Sequence, residues 1–209
     1  MLIEDILKTR IIAIVRMERY DRAVQIAEAL VEGGISIIEF TLTGTGAYQA
    51  IGSTRKVLGA KARIGVGTVL HPQAVEEAVD AGAQFVVTPV MRVNVIATCQ
   101  SLHVPILCGA FTPTEALTAH EAGADMIKIF PARFGGPSYI RDLLAPLPQL
   151  RLVPTGGVNV ENAHAYIDAG AVAVAVGGNL IPTQAVTNGD WAQISAKAHT
   201  YVEALRVGK

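Results

Sequence analysis

The sharpest chemical signal in this chain is a lysine set inside an apolar strand. In MIKIFP, residues 126–131, strand alternation puts Met126, Lys128 and Phe130 on one face and Ile127 and Ile129 on the other. If the isoleucines meet a layer of helices, Lys128 points inward. Desolvation there disfavours the ammonium form and leaves a nucleophilic amine, which is what a Schiff-base lysine needs. The competing reading is a structural ion pair with Glu39 across the interior, although buried pairs seldom repay their desolvation.

Glu39 stands in SIIEFTL, where Ile37, Glu39 and Thr41 share one face and Ile38, Phe40 and Leu42 the other. A carboxylate in an apolar strand is costly unless it is paired or used. Beside an imine on Lys128 its use is proton transfer at the carbon and hydroxyl of the bound substrate. Arg16 offers a bidentate grip on a carboxylate. Its neighbours Glu18, Arg19, Asp21 and Arg22 equally permit a surface ion pair, and spacing alone leaves both readings open.

These residues need a scaffold, and the hydrophobic pattern supplies eight β/α pairs. Strands are expected at 11–15, 36–42, 63–69, 84–89, 105–110, 126–131, 152–158 and 173–178, each followed by an amphipathic helical stretch. A short helix over about 2–9 precedes them. Five helices are expected to end in glycine through left-handed caps, in EGG near Gly33, near Gly59, and at Gly82, Gly123 and Gly170. No linker or low-complexity segment interrupts the series, so 1–209 reads as one domain.

Parallel strands with helical crossovers make either an open doubly wound sheet or a closed barrel. A dinucleotide-binding sheet wants G-x-G-x-x-G after its first strand. That turn here reads VRMERYDRA, without a glycine. Eight units fit a (β/α)8 TIM barrel, with the N-terminal helix capping its bottom.

In such barrels the chemistry lies at the carboxyl ends of the strands. Arg16, Thr68, Thr88 with Pro89, and Thr112 fall there, as do two glycine pairs: Gly156 and Gly157 within TGG (Thr155 to Gly157), and Gly177 and Gly178 within VGGN. The loops after strands 7 and 8 commonly hold phosphate, because glycine lets backbone N–H groups approach an oxyanion. Either pair alone also reads as an ordinary turn; together they point to a phosphorylated or strongly anionic substrate.

Composition narrows the classes. The chain has 209 residues, 17 basic against 18 acidic, a net charge of −1, and 51% hydrophobic but 5% aromatic residues. Charge balance argues against nucleic acid or an anionic membrane surface. The longest charge-free stretch, between Asp168 and Asp190, is broken by Gly177, Gly178 and Pro182, so no transmembrane helix is expected. Glu4 and Asp5 exclude a signal-peptide pattern, and a cytoplasmic location is expected. Cys99 and Cys108 lack CxxC spacing and read as reduced, Cys108 as a small buried hydrophobe. The five histidines lack ligand spacing and read as solvated, no metal site is expected, and Trp191 is expected to anchor the last helix.

The segments IIEFTL, VGTVL, VTP, GAFTPTEA, KIFPA, GGP, PTGGVN and VGG, in this order across nearly the whole chain, resemble the 2-keto-3-deoxy-6-phosphogluconate (KDPG) aldolase family. These class I pyruvate aldolases include 4-hydroxy-2-oxoglutarate (KHG) aldolase and the 6-phosphogalactonate enzyme. The resemblance implies that Lys128 forms the Schiff base with the keto carbon and that Glu39 moves protons through a water. It implies that Thr68, Pro89 and Phe130 line the pyruvate pocket and that Gly157 and Gly178 bind the distal phosphate. It also implies a homotrimer, no metal or organic cofactor, and a 2-keto acid phosphosugar as substrate with pyruvate as product. The implied reaction is reversible cleavage of KDPG to pyruvate and glyceraldehyde 3-phosphate, with KHG cleavage and oxaloacetate decarboxylation as side activities.

The chain departs from the family pattern at two positions. Many gluconate-specific members carry TLR after the glutamate, whereas here TLTG puts Thr43 in the arginine's place, and Cys108 replaces the proline before GxxT. Arg16 resembles an arginine of other branches, including the phosphogalactonate aldolases, which keeps that substrate as an alternative. From another class, a phosphate-gripping barrel isomerase or synthase shares the late glycine loops and needs no imine-forming lysine. A non-catalytic anion-binding barrel is the remaining alternative.

Overall fold

A computed structural model of the protein describes residues 2–206. Eight parallel strands are paired in the order β7-β6-β5-β4-β3-β2-β1-β8. They are β1 (Ile11–Val15), β2 (Ile37–Thr41), β3 (Arg63–Gly67), β4 (Val86–Val87), β5 (Ile106–Ala110), β6 (Met126–Ile129), β7 (Leu152–Pro154) and β8 (Val174–Val176). Between β7 and β8 the ring is joined by one parallel bridge, Thr155 to Ala175, and by the Val172 N–H donating to the Leu152 carbonyl at 3.0 Å. The result is a (β/α)8 barrel.

Strand alternation sorts the apolar residues into two cores. Ile38, Phe40, Ile127 and Ile129 pack outward against the helices. Ile12, Ile37, Phe85, Leu107, Met126 and Val153 fill the barrel interior. Leu2 and Ile6 of helix α1 (Leu2–Thr9) join that inner cluster, so α1 closes the amino-terminal end. An ion pair of 2.7 Å from Arg63 to Asp5 ties α1 to the start of β3.

The crossover helices begin where the sequence provides starts. Thr112 caps α6 (Pro113–Glu121) in a reciprocal capping box with Glu115, and Asn159 does the same with Asn162 for α8 (Val160–Asp168). Positive-φ glycines end several helices, but after α2 (Ala23–Glu32) the left-handed residue is Gly34 (φ 93°), while Gly33 keeps φ −76°. Gly33 sits against Ala198 and the Ser195 carbonyl of α10 (Trp191–Arg206), where no Cβ would fit. Trp191 opens α10 and packs on the outer core, as expected of an anchor.

The strands are shorter than the sequence pattern suggests, mostly at their carboxyl ends: β7 stops at Pro154 and β8 at Val176. The remaining residues form the loops at the barrel mouth, where several stay hydrogen-bonded to neighbouring segments: the Thr155 N–H donates to the Ile129 carbonyl at 2.9 Å, and the Gly177 carbonyl accepts from the Leu180 N–H at 2.8 Å.

Candidate active site

Lys128 on β6 and Glu39 on β2 both point into the barrel, as strand alternation requires. Their residues are 5% and 1% exposed. Nζ of Lys128 lies 4.0 Å from Oε1 of Glu39, outside hydrogen-bond range, and that buried oxygen has no hydrogen-bond partner. Burial is the largest influence on both groups. It pushes the Glu39 carboxyl up, against the opposing charges of Lys128 and Arg16. It pushes the Lys128 ammonium down, helped by Arg16 and opposed by Glu39. Burial therefore biases both groups toward their neutral forms, an amine beside a protonated acid.

Phe130, two residues along from Lys128, holds its ring centroid 5.7 Å from Nζ, and the Phe130–Pro131 peptide bond is cis. Gly67, which closes β3, makes room for the carboxylate: a Cβ there would run into the Glu39 side chain. Gly109, paired with Lys128, likewise has no room for a Cβ against the backbone of Pro89 and Val90. Thr68 follows Gly67 with φ 62°, a strained conformation for a threonine and of the kind that gathers at functional sites.

A cavity of about 400 Å³ opens at the mouth beside this pair. Its wall brings together Arg16, Phe130, Thr155 and the two glycine pairs, Gly156 with Gly157 and Gly177 with Gly178. Gly156 and Gly157 both take positive φ, 87° and 90°, so the turn turns its backbone in a way that disfavours side-chain-bearing residues. Arg16 is exposed at the end of β1. Thr68 and Pro89 stand on the other arc of the rim, at β3 and β4, and do not line this cavity. Lys128 and Glu39 are not among its lining residues; the link to them is Phe130, which lines the cavity and stands 5.7 Å from Lys128 Nζ.

Three contributors were not foreseen in the sequence. Gly67 is one; a glycine inside a strand is the available signal, since it marks close approach by another group. Arg133, on the short 3-10 turn Ala132–Phe134, is the second, because it lines the cavity. Tyr20 is the third. Its hydroxyl lies 2.6 Å from the Thr41 carbonyl and 3.0 Å from Thr41 Oγ1, which is itself 2.8 Å from Thr43 Oγ1. Thr43 is thus tied into a neutral hydroxyl chain and brings no cation to this side of the mouth.

Cys108 faces the outer core, 3.5 Å from the Thr88 hydroxyl, and burial raises its thiol. Its role is packing. His71, His103 and His199 are exposed, but His164 is not fully solvated: its Nδ1 is buried and 3.3 Å from Asp168 Oδ1. Among the described residues no three His, Cys, Asp or Glu side chains are grouped to hold a metal ion.

The profile of the family described as KDPG and KHG aldolase matches residues 2–197. The chain is 35% identical over 201 residues to the 2-dehydro-3-deoxy-phosphogluconate aldolase of Treponema pallidum (strain Nichols), spanning 96% of this chain and 95% of that protein. It is also 35% identical over 200 residues to the 2-dehydro-3-deoxy-6-phosphogalactonate aldolase of Escherichia coli (strain K12), spanning 95% and 98%. The KDPG aldolase of Legionella pneumophila, solved with pyruvate captured at low pH as a covalent carbinolamine intermediate, superposes with a TM-score of 0.84. That match has 27% identity over 92% of this chain and 94% of the other. The chain belongs to the KDPG and KHG aldolase family. It is an aldolase, a carbon–carbon lyase.

Proposed function

We propose that residues 1–209 form one catalytic domain that cleaves KDPG to pyruvate and glyceraldehyde 3-phosphate through a Schiff base on Lys128, with KHG cleavage and oxaloacetate decarboxylation as side activities. The observation that carries this reading is the buried, non-hydrogen-bonded Lys128–Glu39 pair at 4.0 Å, in which burial favours a neutral amine and a protonated acid. The covalent capture of pyruvate by the Legionella relative supports it.

The amine of Lys128 attacks the C2 keto carbon, and the carbinolamine hydroxyl leaves as water with the proton of Glu39. The resulting iminium is an electron sink. Glu39, now a carboxylate, takes the C4 hydroxyl proton while the C3–C4 bond pair moves into the iminium, giving the enamine and releasing the aldehyde. Glu39 returns that proton to C3. Water then adds to the iminium and yields pyruvate, the free amine and protonated Glu39. Phe130, Thr68 and Pro89 shape the pyruvate end, and Thr155, Gly156, Gly157, Gly177, Gly178 and Arg16 receive the anionic tail.

The stereoisomeric phosphogalactonate acid is the second reading, favoured by Thr43 in the arginine's place and by the equally similar Escherichia coli enzyme. Incubation with pyruvate, borohydride reduction and peptide mapping test the mechanism: an adduct on Lys128 is expected, and its absence from folded protein overturns the reading. Relative cleavage rates of the two phosphosugar acids then decide the substrate.

The working form in this proposal is a cytoplasmic homotrimer that needs no metal or organic cofactor. Among the described residues no helix is long and apolar enough to cross a membrane, and both cysteines are free. Exposed Val90, Val93, Phe111 and Phe134 stand on the rim after β4, β5 and β6, an apolar face of the kind that self-association covers. Light scattering should give the mass of three chains.

A further inference from the structure

Around the barrel the strand ends β6, β7, β8 and β1 are neighbours. They carry, in that order, Arg133, the Gly156–Gly157 turn, the Gly177–Gly178 turn and Arg16. Two glycine turns are therefore bracketed by an arginine on each side. All four line one cavity, and no acidic side chain is among its described lining residues.

Arg133 is fastened to this cradle by its backbone: its N–H donates to the Gly156 carbonyl at 2.9 Å. A Cβ on Gly157 would collide with the Cβ of Arg133, so turn and arginine are packed against each other. The guanidinium is exposed, lies 5.9 Å from the Phe134 ring centroid, and has no carboxylate partner among the described residues.

Resting on the aldolase reading, we infer that Arg133 is a specificity-determining residue, the second cation that, with Arg16, makes the cradle select a phosphate tail over a carboxylate tail. Glycine turns offer only N–H dipoles, which serve either anion. A phosphate monoester carries close to two negative charges and three acceptor oxygens, enough to engage a guanidinium from each side. A carboxylate has one charge and two oxygens, and gains less from a second arginine than a phosphate does. The hydroxyl chain at Thr43 leaves β2 without a cation, so the charge of the mouth is concentrated at the tail end.

The test compares wild type, Arg133→Ala and Arg133→Lys on whichever of the two phosphosugar acids is cleaved faster, and on KHG. The expected result for Arg133→Ala is a KM for the phosphorylated acid raised about tenfold with kcat nearly unchanged, so that the preference for phosphate over carboxylate falls about tenfold. Arg133→Lys should restore part of it, and added salt should shrink the wild-type preference. An equal loss on both substrates, or an unchanged ratio, overturns the inference. Pyruvate trapping on Lys128 of the wild type separates the two levels. If trapping succeeds while the ratio stays fixed, only the role of Arg133 falls; if trapping fails, the aldolase reading falls with it.

Discussion

Lys128 and Glu39 face one another at 4.0 Å from β6 and β2, on opposite sides of the barrel, and are the only buried charged side chains among the described residues. Neither is paired well enough to repay its burial as a structural ion pair. Each therefore makes sense only with a third party, the substrate, and that dictates how variants should behave.

Replacing Lys128 with Met should abolish borohydride-trapped pyruvate and aldol cleavage altogether. Folding should survive, because an apolar side chain of similar length removes a buried amine and Glu39 can stay protonated. Circular dichroism and urea midpoints would check the fold, and mass spectrometry the adduct.

Glu39→Gln should still form a trappable adduct, since Lys128 remains. Cleavage should fall by about 10²–10⁴, the usual contribution of a positioned acid/base. Comparing single-turnover trapping with steady-state cleavage separates the two steps.

The pair also sets a pH signature in stability. Lys128 is depressed below its ordinary 10.5, so from its folded value up to 10.5 the unfolded chain holds a proton that the folded chain lacks. Stability gained from this group therefore rises with pH through that window. Glu39 is raised above its ordinary 4.5, so from 4.5 up to its folded value the folded chain holds the extra proton, and its contribution falls as pH rises. Subtracting the Lys128→Met urea profile from that of wild type should leave a limb rising toward 10.5, and a flat difference there would contradict the burial of the amine.

Gly67→Ala should cost about 1–3 kcal/mol, as overpacking does, and should lower kcat, because the new methyl group displaces the Glu39 carboxylate. Gly157→Ala should act differently. Its φ of 90° and the adjacent Arg133 Cβ penalise the change by about 1–2 kcal/mol, and its kinetic effect should fall on KM for the phosphorylated substrate.

Cys99 and Cys108 should resist iodoacetamide in the native protein and react after unfolding. Burial pushes Cys99 up to about 12 and raises Cys108 as well, which suppresses the thiolate. Rapid native alkylation would show that the strand 5 region opens.

Much of this was legible in the sequence because one rule, alternation along a strand, governs both the core and the site. The rule that sends Ile127 outward sends Lys128 inward, and Glu39 follows by the same count. The glycine pairs were legible because barrel loops have fixed places. Gly67 and Arg133 were not, since their importance lies in what approaches from another strand or turn. A missing Cβ at Gly67 acquires meaning only once the Glu39 carboxylate is seen to occupy the space. Arg133 sits on a 3-10 turn too short to carry a periodic pattern. The EGG segment was legible as a helix end, but not the division of labour within it, in which α10 packs against Gly33 while the chain reverses at Gly34.

The join between β7 and β8 is the least hydrogen-bonded part of the ring, one bridge and one additional bond. The glycine turns lie on its two sides, one after each strand. An anion bound by both turns, as proposed above, would bridge the gap as an added rung. By mass action such a ligand stabilises the folded barrel over the unfolded chain by RT ln(1 + [L]/Kd), about 2.7 kcal/mol at a hundredfold excess over Kd. Inorganic phosphate alone should then raise the melting temperature of this barrel.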